Sequence, residues 1–475
     1  MNQNQNQQIV SAIDIGTTKI VAIIGKKNEK GNLEIIGIGN VPSKGVKRGV
    51  VQNIEEATNS IQQAVTAAEQ MAGERITHAY VGIAGRHIKS IKNRGYKYID
   101  PPEYEVTAND VTQLKNDMYK LNIEAGEEII HVLPQSYIVD NETDIKNPVG
   151  MSGKRLEGNF HIIIGQILAA NNIKKCINRT GIEINSMVLE PLASSKAVLT
   201  EDEKEVGVAL IDIGGGTTDV AIYHDGVIIH TAVIPFGGDV ITNDIKEGCC
   251  ILGRLAELAK VKYGSALADT VPTDQVVTIP GLKGREAKEI SFKSLAYIIQ
   301  ARMEEILGAA IFEIETSGYL EKLGAGIVLT GGGALLKNLP QLVAFRTGLD
   351  VRIGYPNEYL TSELDDKLNQ PMFATSVGLL LTGYDDLAEN QQVQVIPEVI
   401  AELPVEETET NIVEDHNETR RMVLESLDQD NKTKDKKEKK KKEKAPVEET
   451  EKTPRKGFKE LLIGFFDEKD NQFKK

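Results

Sequence analysis

The sequence predicts an α/β fold made of two similar lobes, and two observations carry this prediction. Over residues 9 to 388, strand-like apolar runs, glycine turns and helices of periodic pattern alternate along the chain, as they do in α/β proteins. A motif of strand, aspartate, glycine, threonines and outgoing strand also occurs twice, as "AIDIGTTKIVAIIG" from residue 12 and "LIDIGGGTTDVAIYHDG" from residue 210. Such a duplication predicts two similar halves that face one ligand.

Each copy of the motif has the composition of a phosphate-binding turn. Glycines let backbone N–H groups approach an anion closely, and threonine hydroxyls add further donors. The aspartate of each copy would hold Mg²⁺ through water, because hard cations prefer oxygen ligands. The alternative is two unrelated hairpins whose turns need glycine, and the repetition argues against it. The candidate phosphate-binding residues are Asp14, Gly16, Thr17, Thr18, Asp212, Gly214, Gly215, Gly216, Thr217 and Thr218, with Asp14 and Asp212 sharing the metal.

Three further stretches fit around the paired turns. In "AGIVLTGGGALLKN", Gly331, Gly332 and Gly333 would let the backbone press against a base and sugar, or would form an ordinary tight turn. Glu257 and Lys260 lie three residues apart on one helix, which suits either ribose contacts or a surface ion pair. Glu190, directly before Pro191, could orient a water molecule for attack on a γ-phosphate. The P-loop and Rossmann glycine motifs are both absent from the sequence.

The composition excludes several classes of protein. The formal net charge of −15 argues against a nucleic-acid-binding body. Three cysteines, Cys176, Cys249 and Cys250, are too few and too badly spaced for a disulfide framework or a zinc site. The polar start "MNQNQNQQ" is unlike a signal peptide, and apolar runs stay well short of a membrane span. We therefore expect a soluble, cytoplasmic protein.

The end of the chain differs in character from the body. Residues 389–453 combine an acidic part with a lysine run, few aromatics and scattered prolines, which predicts a disordered charged linker. The lysine run could be a solvated linker, or could contact anionic lipid or nucleic acid. Residues 454–468 are expected to form an amphipathic helix that anchors the chain at a membrane surface, the alternative being a helix that packs back on the body. Its apolar stripe is Phe458, Leu461, Leu462, Phe465 and Phe466.

Together, these stretches resemble the nucleotide-binding motifs of the actin, Hsp70 and sugar-kinase superfamily. The two hairpins are similar to its two phosphate motifs, Gly331–Gly333 to its adenosine motif, and the Glu190 region and "FATSVGLLL" (373 to 381) to its two connecting motifs. The resemblance implies an actin-like two-lobed ATPase fold that binds ATP and Mg²⁺ in the interlobe cleft. It adds Lys19, Gly237 and Gly238 to the expected nucleotide contacts.

Residues 126 to 165, "GEEIIHVLPQSYIVDNETDIKNPVGMSGKRLEGNFHIIIG", resemble the FtsA family of bacterial cell-division proteins. So do "NVPSKGVKRGVV", "VGIAGRHI" and "PFGGDVITNDI". The resemblance implies a subdomain called 1C that joins neighbours in a filament. It implies subdomain 1A at 9–84 and 167–205, 1C at 85–166, 2A at 206–237 and 323–388, and 2B at 238–322, before the linker and terminal helix.

The same resemblance implies a function. Proteins of this family are ATP-binding, self-polymerising adaptors that tie the FtsZ ring to the cytoplasmic face of the inner membrane at the division site and help to recruit later division proteins. Subdomain 2B, with a long helix expected from Ser291 to Thr316, is implied to receive the acidic C-terminal peptide of FtsZ. The candidate contacts are Asn243, Lys288 and Arg302, although the two cations could equally be ordinary surface residues.

Two departures and one rival qualify this reading. The linker is longer and richer in lysine than the family requires, and the family does not always keep an acid at the position of Glu190, so ATP turnover is expected to be slow or absent. A sugar kinase would need a substrate-binding insert, and an Hsp70 chaperone would need a β-rich domain after its lobes. The alternative is an actin-like pilus-assembly ATPase of the PilM type, which would not be expected to end in a tethered, phenylalanine-rich helix.

Overall fold

The computed structural model describes residues 9–27, 33–101, 104–280, 286–356 and 368–394. They belong to one compact unit, residues 1–397, and the second unit, 398–475, lies outside the described residues. The predicted linker begins at residue 389, and the last helix continues to Gln394. The rest of the linker and the predicted membrane helix, with Phe458, Leu461, Leu462, Phe465 and Phe466, also lie outside the described residues. Among the described helices, none has the length and apolarity needed to cross a membrane.

The first lobe is built on a five-stranded sheet with the order β11-β6-β1-β2-β3. Strands β1 to β3 form an antiparallel meander, and β6 and β11 run parallel to β1. The continuous apolar runs of β1 and β2 fit burial on both faces of the sheet. The strands are β1 (Ile9–Ile15), β2 (Lys19–Lys27), β3 (Leu33–Pro42), the short pair β4 (Val46–Lys47) and β5 (Val50–Val51), β6 (His78–Ile83) and β11 (Glu183–Leu189).

The second lobe repeats this topology, which confirms the predicted duplication. Its sheet has the order β14-β13-β12-β17-β18, again an antiparallel meander followed by two parallel strands. The turn between β12 and β13 therefore occupies the same place as the turn between β1 and β2. The strands are β12 (Val208–Ile213), β13 (Thr218–His224), β14 (Val227–Ile234), β17 (Ile327–Thr330) and β18 (Val351–Ile353).

A separate four-stranded antiparallel sheet is inserted between β6 and β11. Its order is β7-β10-β8-β9, formed by β7 (Lys89–Tyr98), β8 (Glu127–Val139), β9 (Glu142–Ile145) and β10 (Arg155–Gln166). Helix α2 (Ala108–Met118) covers one face, where Leu114 and Met118 pack with Phe160. The other face contacts β14 of the second lobe, because Gln135 donates to the carbonyl oxygen of Ile228 at 2.8 Å.

The helices cover both sheets and fill the space between them. In the first lobe and the connection they are α1 (Ile54–Ala72), α3 (Ile167–Arg179), α4 (Glu190–Val198) and α5 (Glu201–Val206). In the second lobe they are α6 (Gly238–Cys249), α7 (Gly253–Tyr263), α8 (Phe292–Ser317), α9 (Leu339–Thr347) and α10 (Ala374–Gln394). One apolar core between the sheets joins α4 and α10 to buried residues of β1 and β12.

The region predicted as subdomain 2B contains α6, α7, α8 and the strand pair β15 (Val276–Ile279) and β16 (Lys288–Ser291). Helix α8 lies within one residue of its predicted bounds. One apolar stripe of this helix is buried at Leu295, Ile299, Ile306, Leu307 and Ala310, and Ile298 packs against the same core while half-buried. Short 3-10 turns occupy Ala268–Thr270, Leu320–Lys322, Gly332–Leu335 and Pro371–Phe373.

Candidate nucleotide site

The two predicted phosphate turns face each other across the cleft between the lobes. An ideal Cβ placed on Gly215 would lie 1.8 Å from the Oγ1 atom of Thr18, and one placed on Gly216 would lie 2.4 Å from the Oγ1 atom of Thr17. These separations are far below van der Waals contact, so the approach of the turns requires glycine at both positions. The glycines therefore serve the contact between lobes as well as any bound anion.

The two predicted metal-holding aspartates lie at the ends of their strands and are buried. Ser376 donates a hydrogen bond to the Oδ2 atom of Asp14 at 2.9 Å. Ser194 and Thr375 donate to the Oδ2 atom of Asp212 at 2.5 and 3.2 Å. Since Thr375 and Ser376 are consecutive residues of α10, the start of one helix holds an aspartate from each lobe.

Four carboxyl groups share this part of the cleft. Asp219 and Glu190 line the same cavity as Asp14 and Asp212. Burial, followed by the charges of neighbouring carboxylates, raises the pKa of Glu190 and of Asp219 well above their ordinary values. Burial also raises the pKa of Asp14 and of Asp212, and the ammonium group of Lys19 opposes this rise. A site with this excess of negative charge is suited to a cation.

Asp219 is one of the site residues that the sequence motifs did not predict. Strand pairing puts it directly opposite Asp212, and like charges in that position repel each other. Its Oδ2 atom accepts from Thr217 at 3.2 Å, whereas its buried Oδ1 atom has no hydrogen-bond partner among the described residues. The register of the hairpin was the available signal, because β12 and β13 leave Asp212 and Asp219 equally far from the turn.

Two adjoining cavities follow from this arrangement. The smaller has a volume of about 60 Å³ and lies among the carboxyl groups and both turns. The larger has a volume of about 460 Å³, within the range of ligand sites. Of the predicted residues, the smaller cavity is lined by Asp14, Gly16, Thr17, Thr18, Lys19, Glu190, Asp212, Gly214, Gly215, Gly216, Thr217, Gly331 and Gly332. The larger is lined by Thr18, Lys19, Gly214, Gly215, Gly238, Glu257, Lys260, Gly332 and Gly333.

Two predicted contacts lie behind the second turn instead of lining either cavity. Thr218 is fully buried, and its hydroxyl group donates to the carbonyl oxygen of Phe236 at 2.9 Å. Gly237 packs against the backbone of Gly214, where a Cβ would meet the carbonyl oxygen at 2.5 Å. Both residues therefore brace the turn that the ligand would contact.

Helices α6 and α7 form one wall of the larger cavity. Lys260 pairs with Glu257 at 2.8 Å and also donates to the hydroxyl group of Thr242 at 2.8 Å. The ion-pair alternative is therefore present, and because both residues also line the cavity, contact with ribose hydroxyls stays a prediction. Asp239, another residue not predicted, accepts a hydrogen bond from Thr18 and links the first turn to α6.

The three consecutive glycines play different parts. A Cβ on Gly331 would lie 2.3 Å from the Oδ1 atom of Asp212, and one on Gly333 would lie 2.3 Å from Ile213. At Gly332 the nearest atom is the Cβ of Met372 at 3.9 Å, so this position opens into the cavities. The flanking glycines serve packing within the protein, and the middle glycine leaves space for a ligand.

The donor set fits a cation held through water. Within the described part of the chain, no group of three or more His, Cys, Asp and Glu residues is close enough to ligate a metal directly. The orphaned Oδ1 atom of Asp219 and the acidic surroundings of Asp14 and Asp212 nevertheless provide oxygen acceptors of the type that Mg²⁺ prefers.

The three candidate partner contacts lie on one side of the second lobe. Arg302 of α8 binds both carboxylate oxygens of Asp244 on α6, at 2.5 and 3.1 Å, and pairs with Glu305 at 2.5 Å. Lys288 is exposed and donates to the carbonyl oxygen of Cys249 at 2.5 Å. Asn243 is exposed beside Asp244. The two cations therefore already hold α6 to its neighbours, which goes beyond the role of free surface charges.

Comparisons with known proteins agree with this architecture. Residues 209–378 match the family model described as "Cell division protein FtsA", and residues 85–164 match the one described as "SHS2 domain inserted in FTSA". The chain is 40% identical over 391 residues to the cell division protein FtsA of Pseudomonas aeruginosa, covering 82% of this chain and 93% of that protein. It is 42% identical over 377 residues to that of Neisseria meningitidis, covering 79% and 90%.

Among solved structures, the chain is similar to the PilM–PilN type IV pilus biogenesis complex. The TM-score is 0.56 at 13% identity, and the match covers 79% of this chain and 98% of that chain. At this identity the likeness concerns the fold alone. The predicted actin-like two-lobed fold is confirmed, and the inserted sheet coincides with the SHS2 match.

Proposed function

The chain belongs to the FtsA family of cell-division proteins, and on that premise we propose that it binds ATP, assembles into filaments and holds the FtsZ ring at the inner membrane. Membership of the family supports its role in cell division. The observation that carries the nucleotide part of the proposal is the pair of opposed glycine turns beside a cavity of about 460 Å³. A pilus-assembly role rests on likeness of fold alone.

We assign the triphosphate to the two turns and the nucleoside to the larger cavity. Backbone N–H groups of the turns and the hydroxyl group of Thr17 would bind the phosphates, and Lys19 would supply a positive charge. Gly332 leaves room beside the nucleoside, and Glu257 and Lys260 are placed for the ribose hydroxyls. Bound Mg²⁺ would supply positive charge to the phosphates, and Asp14 and Asp212 would hold its water ligands.

Glu190 is the candidate for orienting a water molecule near the terminal phosphate. Its pKa is raised well above the ordinary value by burial and by Asp14, Asp219 and Asp212. A carboxyl group that stays protonated is a poor proton acceptor, so Glu190 would become an effective base only when a cation offsets its neighbours. This electrostatic setting supports slow ATP turnover.

The interaction with FtsZ is assigned to the second lobe. The acidic C-terminal peptide of FtsZ would dock beside Asn243, Lys288 and Arg302, where α6, β16 and the exposed side of α8 meet. Positive charge attracts an acidic peptide mainly through the rate of association. Filament contacts are assigned to the inserted sheet, on the resemblance alone.

Membrane attachment is assigned to residues 454–468, on sequence alone. Leucine and phenylalanine side chains on one stripe, with Arg455, Lys456 and Lys459 at its start, suit an anionic leaflet. One such helix would attach weakly and reversibly, whereas a filament presents many helices at once and would attach firmly. Assembly and attachment would therefore be coupled.

A titration with fluorescent ATP and a pull-down with purified FtsZ test the proposal. Asp212→Asn removes a charge and keeps an oxygen for Ser194, so we expect Mg²⁺-dependent affinity for ATP to fall about tenfold or more while folding persists. Asp202→Ala, on exposed helix α5, is the matched control and should bind like the wild type. Equal affinity of wild type and Asp212→Asn would remove the cleft assignment, and failure to retain FtsZ would remove the division-adaptor role.

A further inference from the structure

A histidine of the inserted sheet reaches the segment that carries Glu190. His131 lies in β8, and its Nε2 atom accepts a hydrogen bond from the backbone N–H group of Leu189 at 3.0 Å. Leu189 ends β11 and directly precedes Glu190, the first residue of α4. The contact joins the insert to the junction between β11 and α4.

This bond satisfies a donor at the edge of a sheet. Strand β11 is an edge strand of the first lobe's sheet and pairs with β6. Backbone N–H groups of β11 that point away from β6 therefore need another hydrogen-bond acceptor. His131 supplies it only while Nε2 carries no proton. Burial, aided by the charge of Lys115, lowers the pKa of His131 to about 4, which keeps the ring neutral at ordinary pH.

The side chain of Glu190 is confined on its other side by β6. An ideal Cβ on Gly82 would lie 3.2 Å from the Cγ atom and 3.4 Å from the Oε1 atom of Glu190. The carboxyl group thus rests on a glycine of β6, while the backbone just before it is held from β8. A shift of the junction would carry the carboxyl group with it, because Leu189 and Glu190 are adjacent.

The insert also reaches the first phosphate turn through its entry segment. The backbone N–H group of Gly49 donates to the Oγ1 atom of Thr17 at 3.1 Å. A Cβ on Gly49 would lie 2.9 Å from the Cα atom of Gly85, in the segment that leads from β6 into β7. The insert is therefore linked to the cleft directly through His131 and Leu189, and indirectly through Gly85 and Gly49.

We propose that His131 is a positioning residue, which sets the place of Glu190 beside the terminal phosphate and makes the inserted sheet part of the nucleotide site. The proposal rests on the proposed function, since the role of Glu190 is assigned there. It follows that whatever binds the insert and moves β8 would alter how the cleft treats ATP.

Two variants of similar polarity but different reach separate this role from simple burial. In His131→Gln the amide oxygen comes to the place of Nε2, whereas in His131→Asn the side chain stops at the place of Nδ1. Hydrogen–deuterium exchange followed by mass spectrometry reports on the peptide that spans residues 186–192 in the full-length protein. We expect exchange at this peptide to be about fivefold faster in His131→Asn, which loses one hydrogen bond, and to stay near wild type in His131→Gln.

The ratio of the affinities for ATP and ADP provides the functional measurement. ADP lacks the terminal phosphate beside which Glu190 is placed, so Glu190→Gln should change this ratio. His131→Asn should change it in the same direction, and His131→Gln should leave it within about twofold of the wild type. Helix α1 serves as the internal control for exchange and should be unaffected in each variant.

The outcomes separate the two proposals. Equal exchange in His131→Asn and His131→Gln would overturn the positioning role. The role is also wrong if Glu190→Gln alters the ratio of the affinities for ATP and ADP but His131→Asn, despite its faster exchange, leaves that ratio unchanged. If Glu190→Gln itself leaves the ratio unchanged, the proposed place of Glu190 beside the terminal phosphate is wrong, and the positioning role of His131 is wrong with it.

Discussion

Replacing Gly215 by alanine should force the two phosphate turns apart. The added Cβ would lie 1.8 Å from the Oγ1 atom of Thr18 and 3.5 Å from the Oδ1 atom of Asp239. A carbon and an oxygen atom in contact are about 3.3 Å apart or more. Relief therefore requires either that the side chain of Thr18 rotates and loses its hydrogen bond to Asp239, or that the turns separate by up to about 1.5 Å. Both turns belong to rigid hairpins, and the movement would therefore be shared by the lobes.

A separation of this size is expected to cost affinity for ATP. Displacements of about 1 Å in a built site can cost on the order of a hundredfold, and we expect the Kd for fluorescent ATP to rise by about ten- to a hundredfold. Gly308→Ala is the matched control, because a Cβ there meets nothing within 4 Å. As a glycine within helix α8, it should bind ATP normally and unfold at the same or a slightly higher temperature.

A double variant identifies the cause. Thr18→Ala removes the clashing oxygen and leaves a Cβ-to-Cβ contact of 3.1 Å, so Gly215→Ala should cost less affinity in this background than in the wild type. If Gly215→Ala binds ATP like Gly308→Ala, the turns are not opposed in the working protein. If the two costs simply add, the loss has another origin.

Three further predictions concern other parts of the molecule. Gly332→Val should weaken ATP binding and leave the melting temperature near that of the wild type. Gly333→Val should destabilise the fold itself, because the space beside Gly333, unlike that beside Gly332, is already filled by protein atoms. Thermal denaturation followed by circular dichroism, together with ATP titration, compares the two variants. Arg302→Glu should weaken binding of the FtsZ C-terminal peptide several-fold and reduce the salt dependence of that binding. The swapped pair Asp244→Arg with Arg302→Asp should restore the melting temperature without restoring peptide binding. Recovered binding would show that Arg302 acts through the packing of α6. Burial, with the charges of neighbouring groups, lowers the pKa of His161 to about 4. The unfolded chain therefore binds more protons than the folded protein between pH 6.5 and 4, and the free energy of unfolding falls as pH falls through this window. His161→Gln should remove up to about 3 kcal/mol of that loss, measured by urea denaturation across the range; an unchanged dependence of stability on pH would contradict the burial of a neutral ring.

The paired turns could be predicted because their chemistry is local in the sequence. Strand, aspartate, glycine and threonine follow one another without interruption in both copies, and this combination of residue types is typical of a phosphate-binding turn. Asp14, Thr17, Asp212 and Gly215 accordingly line the cleft as expected. Helix α8 was predictable for a similar reason, since its stripe of buried residues repeats with the period of a helix.

The remaining parts of the site depend on contacts between distant segments. Ser194 and Ser376 appear in the sequence as small residues of two ordinary helices, and only the crossing of α4 and α10 brings them to the aspartates. Asp219 looks like a polar residue of an alternating strand until pairing puts it opposite Asp212. The contact from His131 to Leu189 likewise depends on how the insert meets the edge of the first sheet.

The charge of the cleft explains why the lobes and the ligand should act together. Asp14 comes from the first lobe and Asp212 and Asp219 from the second, while Glu190 begins the helix between them. The charge of Lys19 lowers the pKa of Asp14, Asp212 and Glu190 and so opposes the effect of burial. Buried like charges oppose close approach, and the proteins that tolerate them do so by protonation or by pairing with a cation. A metal-bound nucleotide in the cleft would offset this repulsion and stabilise the contact between the two glycine turns. Removal of the nucleotide would restore the repulsion, so we expect the two lobes to be held together most firmly when ATP and a divalent cation are bound together.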